Sequence, residues 1–209
     1  MIRKALLLFA LPALVAALPA AADASQDPTE LIRQTTGELF TLVDENRSEF
    51  EQNPALLQEE LRSRLLPRLD TIYSARLVLG RYGRGLETDQ IEAFADTLSN
   101  LLMRNYASGL LEFRSREQIE ILPLAGDNSE RATRVRTRLA LDSGEQAPVD
   151  YVLRWSDEQW RVFDVIVEGI SYVATFRNQI GEEIRRDGFD TMLARLRSGE
   201  IDLEVDVES

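Results

Sequence analysis

Trp155-Ser-Asp-Glu-Gln-Trp-Arg-Val-Phe-Asp-Val-Ile-Val-Glu-Gly-Ile-Ser-Tyr-Val-Ala-Thr-Phe-Arg-Asn-Gln-Ile180 passes from a tight turn through an apolar strand and a Gly break into an aromatic helix. Ser156 to Gln159 read as a short hairpin loop, which sets Trp155 and Trp160 near each other across the pair. Val165-Ile166-Val167 is apolar on both faces, as a strand covered on both sides requires. Almost no side chain in the stretch can do chemistry, so it describes a greasy enclosure rather than a reaction centre.

Upstream, the pattern continues as strands. Thr133, Val135, Thr137, Leu139 and Leu141 alternate with Arg134, Arg136 and Arg138, giving one apolar face and one face of guanidiniums. Asp142-Ser143-Gly144-Glu145 forms a turn, after which Val149, Tyr151, Leu153 and Trp155 share the face opposite Asp150, Val152 and Arg154. The arginine stripe has two readings, a phosphate-binding edge or a solvated sheet face paired with acids; the readiness of Arg to pair with neighbouring acids favours the second.

Helices flank this strand region on both sides. Asp27-Pro28-Thr29-Glu30 combines an N-cap, a first-turn proline and a capping-box glutamate, and Leu31, Thr35, Leu39 and Leu42 follow on one face. Asn53-Pro54 opens a second helix carrying Leu57, Leu61 and Leu65 until Pro67, and a third runs from about Asp70 to Leu79. The longest helix is expected from Asp89 to about Glu112, weighted by Ile91, Phe94, Leu98, Leu101, Leu102 and Met103 and continued by Tyr106 and Leu110. Beyond Gly169, helices from about Ser171 to Arg186 and from Asp190 complete the set. The tail from Glu200 alternates acids with Ile201, Leu203, Val205 and Val207; it reads as a frayed acidic terminus rather than an edge strand. An antiparallel meander backed by helices from both ends of the chain is an α+β fold.

The N-terminus bears on compartment. Arg3 and Lys4 precede an apolar run from Ala5 to Leu18, and Ala20-Ala21-Ala22 and Ala22-Asp23-Ala24 both satisfy an Ala-x-Ala cleavage rule. The run is shorter than the roughly 20 residues of a membrane anchor and is broken by Pro12. Residues 1–24 therefore read as a secretory signal peptide cleaved after Ala22 or Ala24. Residues 25–199 form a single α+β domain and 200–209 an acidic tail, in a protein placed outside the cytoplasm.

Absent residue types narrow the chemistry further. The sequence has no His and no Cys, and its only lysine is Lys4. With Lys4 removed along with the signal segment, Ser-His-Asp and Cys-His triads, Schiff-base lysines, phosphate-loop lysines and His or Cys zinc sites all lack a residue they need. Of the carboxylates, Asp164 and Glu168 share one face of the predicted strand, but four residues of strand separate them by about 13 Å, beyond the ~5 to 9.5 Å that glycoside hydrolysis uses. No catalytic residue and no metal or cofactor is expected. The net charge is −12, to which Arg3 and Lys4 contribute +2, so the rest carries −14. That charge repels nucleic acid and anionic membrane surfaces at long range.

Ala75-Arg76-Leu77-Val78-Leu79-Gly80, Asp164-Val165-Ile166-Val167-Glu168-Gly169-Ile170-Ser171-Tyr172, Arg177-Asn178 and Gly188-Phe189-Asp190 occur in an order that resembles the MlaC/toluene-tolerance family of periplasmic phospholipid-binding proteins. The resemblance spans most of the chain beyond residue 24, and the Asp164 to Ser171 block is its most specific part. It implies a hydrophobic pocket between sheet and helices that holds acyl chains and leaves the headgroup toward water. It further implies a monomeric carrier that docks transiently at membranes and shuttles phospholipid between an outer-membrane Mla lipoprotein–porin complex and an inner-membrane Mla ABC transporter complex, maintaining outer-membrane lipid asymmetry. Two buried chains of ~15 CH₂ groups each represent roughly 24 kcal/mol of transfer free energy at ~0.8 per CH₂. Leaving a membrane and entering a pocket nearly cancel, so lipid can exchange in either direction.

On that implication, the apolar faces that meet around the sheet supply the lining: Leu79, Phe94, Leu98, Leu139, Tyr151, Leu153, Val165, Val167, Ile170, Tyr172 and Phe176. Periodicity alone does not separate a lined cavity from a packed interior. Ile170, directly after Gly169 in the most specific block, is the first choice; Ile170→Glu is expected to place an unpaired charge in the pocket and reduce lipid loading. Two other classes stay open, a protein-interaction module with an ordinary core and a carrier of another hydrophobic ligand such as a fatty acid or quinone.

Overall fold

The computed structural model describes residues 27–111, 119–140 and 144–205. The signal-peptide segment, the Asp142-Ser143 part of the expected turn, Leu141 and Val207 lie outside the described residues. Helix α1 (Pro28–Gln52) starts where the sequence places it: Asp27 accepts from the Thr29 backbone N–H at 2.8 Å, and Pro28 occupies the first turn. Glu30 turns forward to Arg33 and Gln34. Asn53 caps α2 (Pro54–Leu65), and Pro67 converts its end into a 3₁₀ turn at Leu66–Arg68. Asp70 caps α3 (Thr71–Leu79) through the Tyr73 N–H at 3.1 Å.

Helix α4 (Thr88–Tyr106) is shorter than expected, giving way to a 3₁₀ turn at Ser108–Leu111, so the longest helix is the 25-residue α1. The strands are β1 (Ile119–Ile121), β2 (Thr133–Ala140), β3 (Gln146–Ser156), β4 (Gln159–Val167) and β5 (Ile170–Ser171). They form one antiparallel meander in sequence order. Helices α5 (Tyr172–Asp187) and α6 (Phe189–Ser198) follow. The α+β reading holds.

Both β4 hairpins turn on two residues of positive φ, Asp157 (50°) with Glu158 (61°) and Glu168 (52°) with Gly169 (86°), as type I′ turns require. Trp155 and Trp160 pair in register with ring centroids 5.6 Å apart. Glu168 therefore lies in a turn beyond β4, and it shares no strand face with Asp164. A bulge gives β4 one extra residue: Leu153 pairs with Val162 and Val152 with Asp164, leaving Phe163 unmatched. The bulge reverses the side-chain alternation along β4. The inward residues are thus Trp160 and Val162 before it, Val165 and Val167 after it.

The opposite sheet face carries Arg134, Arg136 and Arg138; Arg134 lies 3.5 Å from Asp150. The stripe is thus on the side away from the helices that cover the inner face. Arg154 reaches Asp70 at 3.3 Å and stacks over Tyr73 at 4.3 Å.

The tail docks instead of fraying through residue 205. Ile201 and Leu203 are buried against α4 and α6, Val205 packs beside them, and Gln179 donates to the Glu204 carbonyl at 2.7 Å. The alternation that reads as a possible edge strand is used one-sidedly, with Asp202 turned outward to Asn105 at 2.5 Å.

Candidate functional site

Three separate apolar clusters fill the interior, where one contiguous core per domain is usual. The largest joins α3, α4, α5, α6 and the tail. A second fixes the C-terminal half of α1 to α2 through Val43, Phe50, Leu57 and Leu61. The third sets Ile32, near the start of α1, on the sheet against Val135, Leu153 and Val162. Helix α1 is thus clamped at both ends. Its middle presents Thr35, Thr36 and Leu39 to the sheet, side chains too few and too short to fill the space.

That space is an apolar cavity of three lobes. The first, about 640 Å³ counting its open edge, lies between α3, α4, α5 and the bulged part of β4. The second, about 1130 Å³ on the same measure, lies under α1 and contacts the end of α4 and strands β3 and β4. A third of about 1020 Å³ continues along the inner face to β1 and β2. The first and second share Leu69, Leu102, Met103, Val162 and Val165; the second and third share Thr36, Leu39, Tyr106, Leu110 and Tyr151; Tyr172 borders all three. Counting only the space a water-sized sphere can occupy, the second and third lobes hold about 360 and 340 Å³ and the first about 120 Å³, so the two larger ones reach the lower end of the roughly 300–1000 Å³ typical of ligand pockets. Packed interiors seldom leave voids larger than a water, so the space is a constructed feature of the fold.

Seven expected lining residues meet there: Leu98, Val165, Tyr172 and Phe176 around the first lobe, Leu139, Tyr151 and Val167 with Tyr172 around the third. The other four do not. Leu79 and Phe94, 1 % and 0 % exposed, face the helical cluster, because α3 and α4 turn those positions toward α5 and α6. Leu153 is consumed by contact with Ile32 and Val135. Ile170 sits on the two-residue β5 opposite Val167, half-buried, outside the lining of the three lobes.

The α1 contribution, Leu31, Ile32, Thr35, Thr36 and Leu39, was not among the expected lining residues. The signal available was Thr35-Thr36-Gly37 inside a 25-residue helix, where poor helix formers with little volume interrupt an otherwise apolar face. Leu102 and Met103 were also missed; with Leu101 they make the α4 face too wide for one packing partner, and Leu101 joins the core while the other two face the cavity.

Polar groups at the cavity are few. Asp164 borders the first lobe, but its carboxylate accepts from Ser171 Oγ at 2.6 Å and from the Val173 N–H at 3.0 Å, fastening the start of α5 to β4. Burial raises the pKa of Tyr151, Tyr172 and Tyr106, so all three phenols are neutral over the ordinary pH range. Among the described residues no cluster of carboxylates could hold a metal ion, and no helix is long and apolar enough to cross a membrane. The arrangement can hold an apolar molecule.

Fold and cavity together define a small α+β container for apolar ligands. The chain belongs to the MlaC family: the family profile described as MlaC protein matches residues 33–198. It is similar to toluene tolerance protein ttg2D of Pseudomonas putida, 30 % identical over 178 residues that cover 85 % of this chain and 82 % of that one. It is also similar to the intermembrane phospholipid transport system binding protein MlaC of Haemophilus influenzae, 28 % identical over 198 residues, 92 % of this chain and 90 % of that protein. Among solved structures, the phospholipid-binding protein from Ralstonia solanacearum in complex with a phospholipid shares the fold with a TM-score of 0.71 at 20 % identity, covering 81 % of this chain and 98 % of that one.

Proposed function

We propose that this protein is a periplasmic phospholipid carrier, exported by the signal peptide in residues 1–24, that holds acyl chains in the three-lobed cavity and passes lipid between membranes. The observation that carries the reading is the cavity itself: apolar, of adjoining lobes, and bordered in all three by residues of the Asp164 to Tyr172 block. Family membership supports phospholipid as the cargo, given what the relatives' names say those proteins bind. A cavity of several lobes suits a lipid with two chains better than a single-chain fatty acid, since one chain would leave a lobe of apolar wall in contact with water.

Within this reading, Leu98, Leu139, Tyr151, Val165, Val167, Tyr172 and Phe176, together with Thr36, Leu39, Leu102 and Met103, contact the chains. No covalent step is needed, and the carrier has no cofactor other than its cargo. The outer-membrane Mla lipoprotein–porin complex and the inner-membrane Mla ABC transporter complex are its proposed docking partners, with maintenance of outer-membrane lipid asymmetry as the outcome. Transfer of a labelled phospholipid between two populations of vesicles tests the carrier step. Transfer at a rate proportional to protein concentration is expected; a rate equal to the protein-free control would overturn it.

A further inference from the structure

Arg68 is the one cationic side chain among the described residues that line the cavity, and it lies at the second, central lobe. Its position is set by the 3₁₀ turn that Pro67 forces at the end of α2, which delivers residue 68 between α1 and β4. Its Nη2 lies 3.0 and 3.3 Å from the two carboxylate oxygens of Glu38 on α1. Nη1 and Nε have no partner among the described residues, so most of the guanidinium's five donors remain available. The side chain is 28 % exposed and that of Glu38 48 %, which places the pair where the lobe meets solvent. One turn earlier on α1, the Thr35 hydroxyl is buried without a hydrogen-bond partner.

We infer that Arg68 is the phosphate-recognising residue of the site: acyl chains run into the lobes while the lipid phosphodiester rests on the free donors of Arg68, in competition with Glu38. The inference rests on the phospholipid reading and adds the group that selects a phosphate. An acidic chain of net charge −12 disfavours an anionic headgroup at long range, so a cation at the edge of the pocket must supply the local attraction. Guanidinium suits a phosphate because it offers several directed donors and is always charged. A partly exposed ion pair with Glu38 is weak enough to yield to a ligand that brings its own apolar anchor.

The test compares loading of phosphatidylglycerol with loading of the diacylglycerol bearing the same chains, in the full chain and in three variants. Arg68→Gln is expected to lower the phosphatidylglycerol-to-diacylglycerol ratio about tenfold, the loss of one charge-assisted contact. Arg68→Lys is expected to restore part of the ratio, and Glu38→Gln, which leaves the arginine in place, not to lower it. An unchanged ratio in Arg68→Gln, an equal loss of both lipids, or a fall in Glu38→Gln matching that of Arg68→Gln would overturn the inference while leaving the carrier reading intact. Failure of the unaltered protein to load either lipid would instead overturn the carrier reading, and this inference with it.

Discussion

Tyr151 occupies the middle of β3, where its phenol meets the second and third lobes and burial alone raises its pKa. Tyr172 and Tyr106, whose rings lie 5.7 Å apart, share the shift, with burial again the leading cause. Each raised value makes the folded state hold its proton longer than the unfolded chain does. The stability this contributes is complete below the unfolded tyrosine pKa of about 10 and is lost as pH rises through the folded value. Urea unfolding from about pH 8 to about pH 11 is therefore expected to show a falling midpoint at the alkaline end, and Tyr151→Phe to flatten that fall. An identical alkaline decline in Tyr151→Phe would show that this phenol does not contribute. With no histidine in the chain, none of the usual side-chain titration near neutrality accompanies it.

Among the elements, the β4–β5–α5 unit contributes wall to all three lobes. Its two type I′ turns, its bulge at Phe163 and the Asp164 cap act together: the bulge turns Val165 and Val167 inward, and Asp164 anchors Ser171 and Val173 so that Tyr172 and Phe176 face the cavity. Asp164→Ala removes both anchors and is expected to cost about 2 kcal/mol, read as a lower urea midpoint. A change within about 0.5 kcal/mol would mean that α5 is held by packing alone. Much at this scale was legible beforehand. Asp27-Pro28, Asn53-Pro54 and Asp70 mark helix starts by local hydrogen bonding, and a two-residue loop between Ser156 and Gln159 sets the tryptophan register. The bulge was not legible, because Val162-Phe163-Asp164 reads as ordinary alternation until pairing with β3 is known. Nor was the docking of 201–205, since an alternating acidic tail gains its partner only from tertiary contact.

For the whole molecule, the decisive feature is unfilled space, and no periodicity reports it. Phe94 and Leu98 lie one helical turn apart on α4, yet the first is sealed in the helical core and the second faces the first lobe. Which is which depends on where α1, clamped at its ends by Ile32 and by Val43 and Phe50, stands away from the sheet. Val165→Trp, at the junction of the first two lobes, is expected to fill that space: lipid loading falls at least about tenfold while stability changes by less than about 1.5 kcal/mol, because the larger ring enters a void rather than a packed core. Unchanged loading with unchanged stability would remove Val165 from the binding surface. The measurement that bears most directly on the cavity as an acyl-chain container is mass spectrometry of the organic extract from mature protein purified from a bacterial periplasm without detergent. Phospholipid in stoichiometric amount is the predicted result; a stable, monodisperse protein that yields no lipid would contradict it.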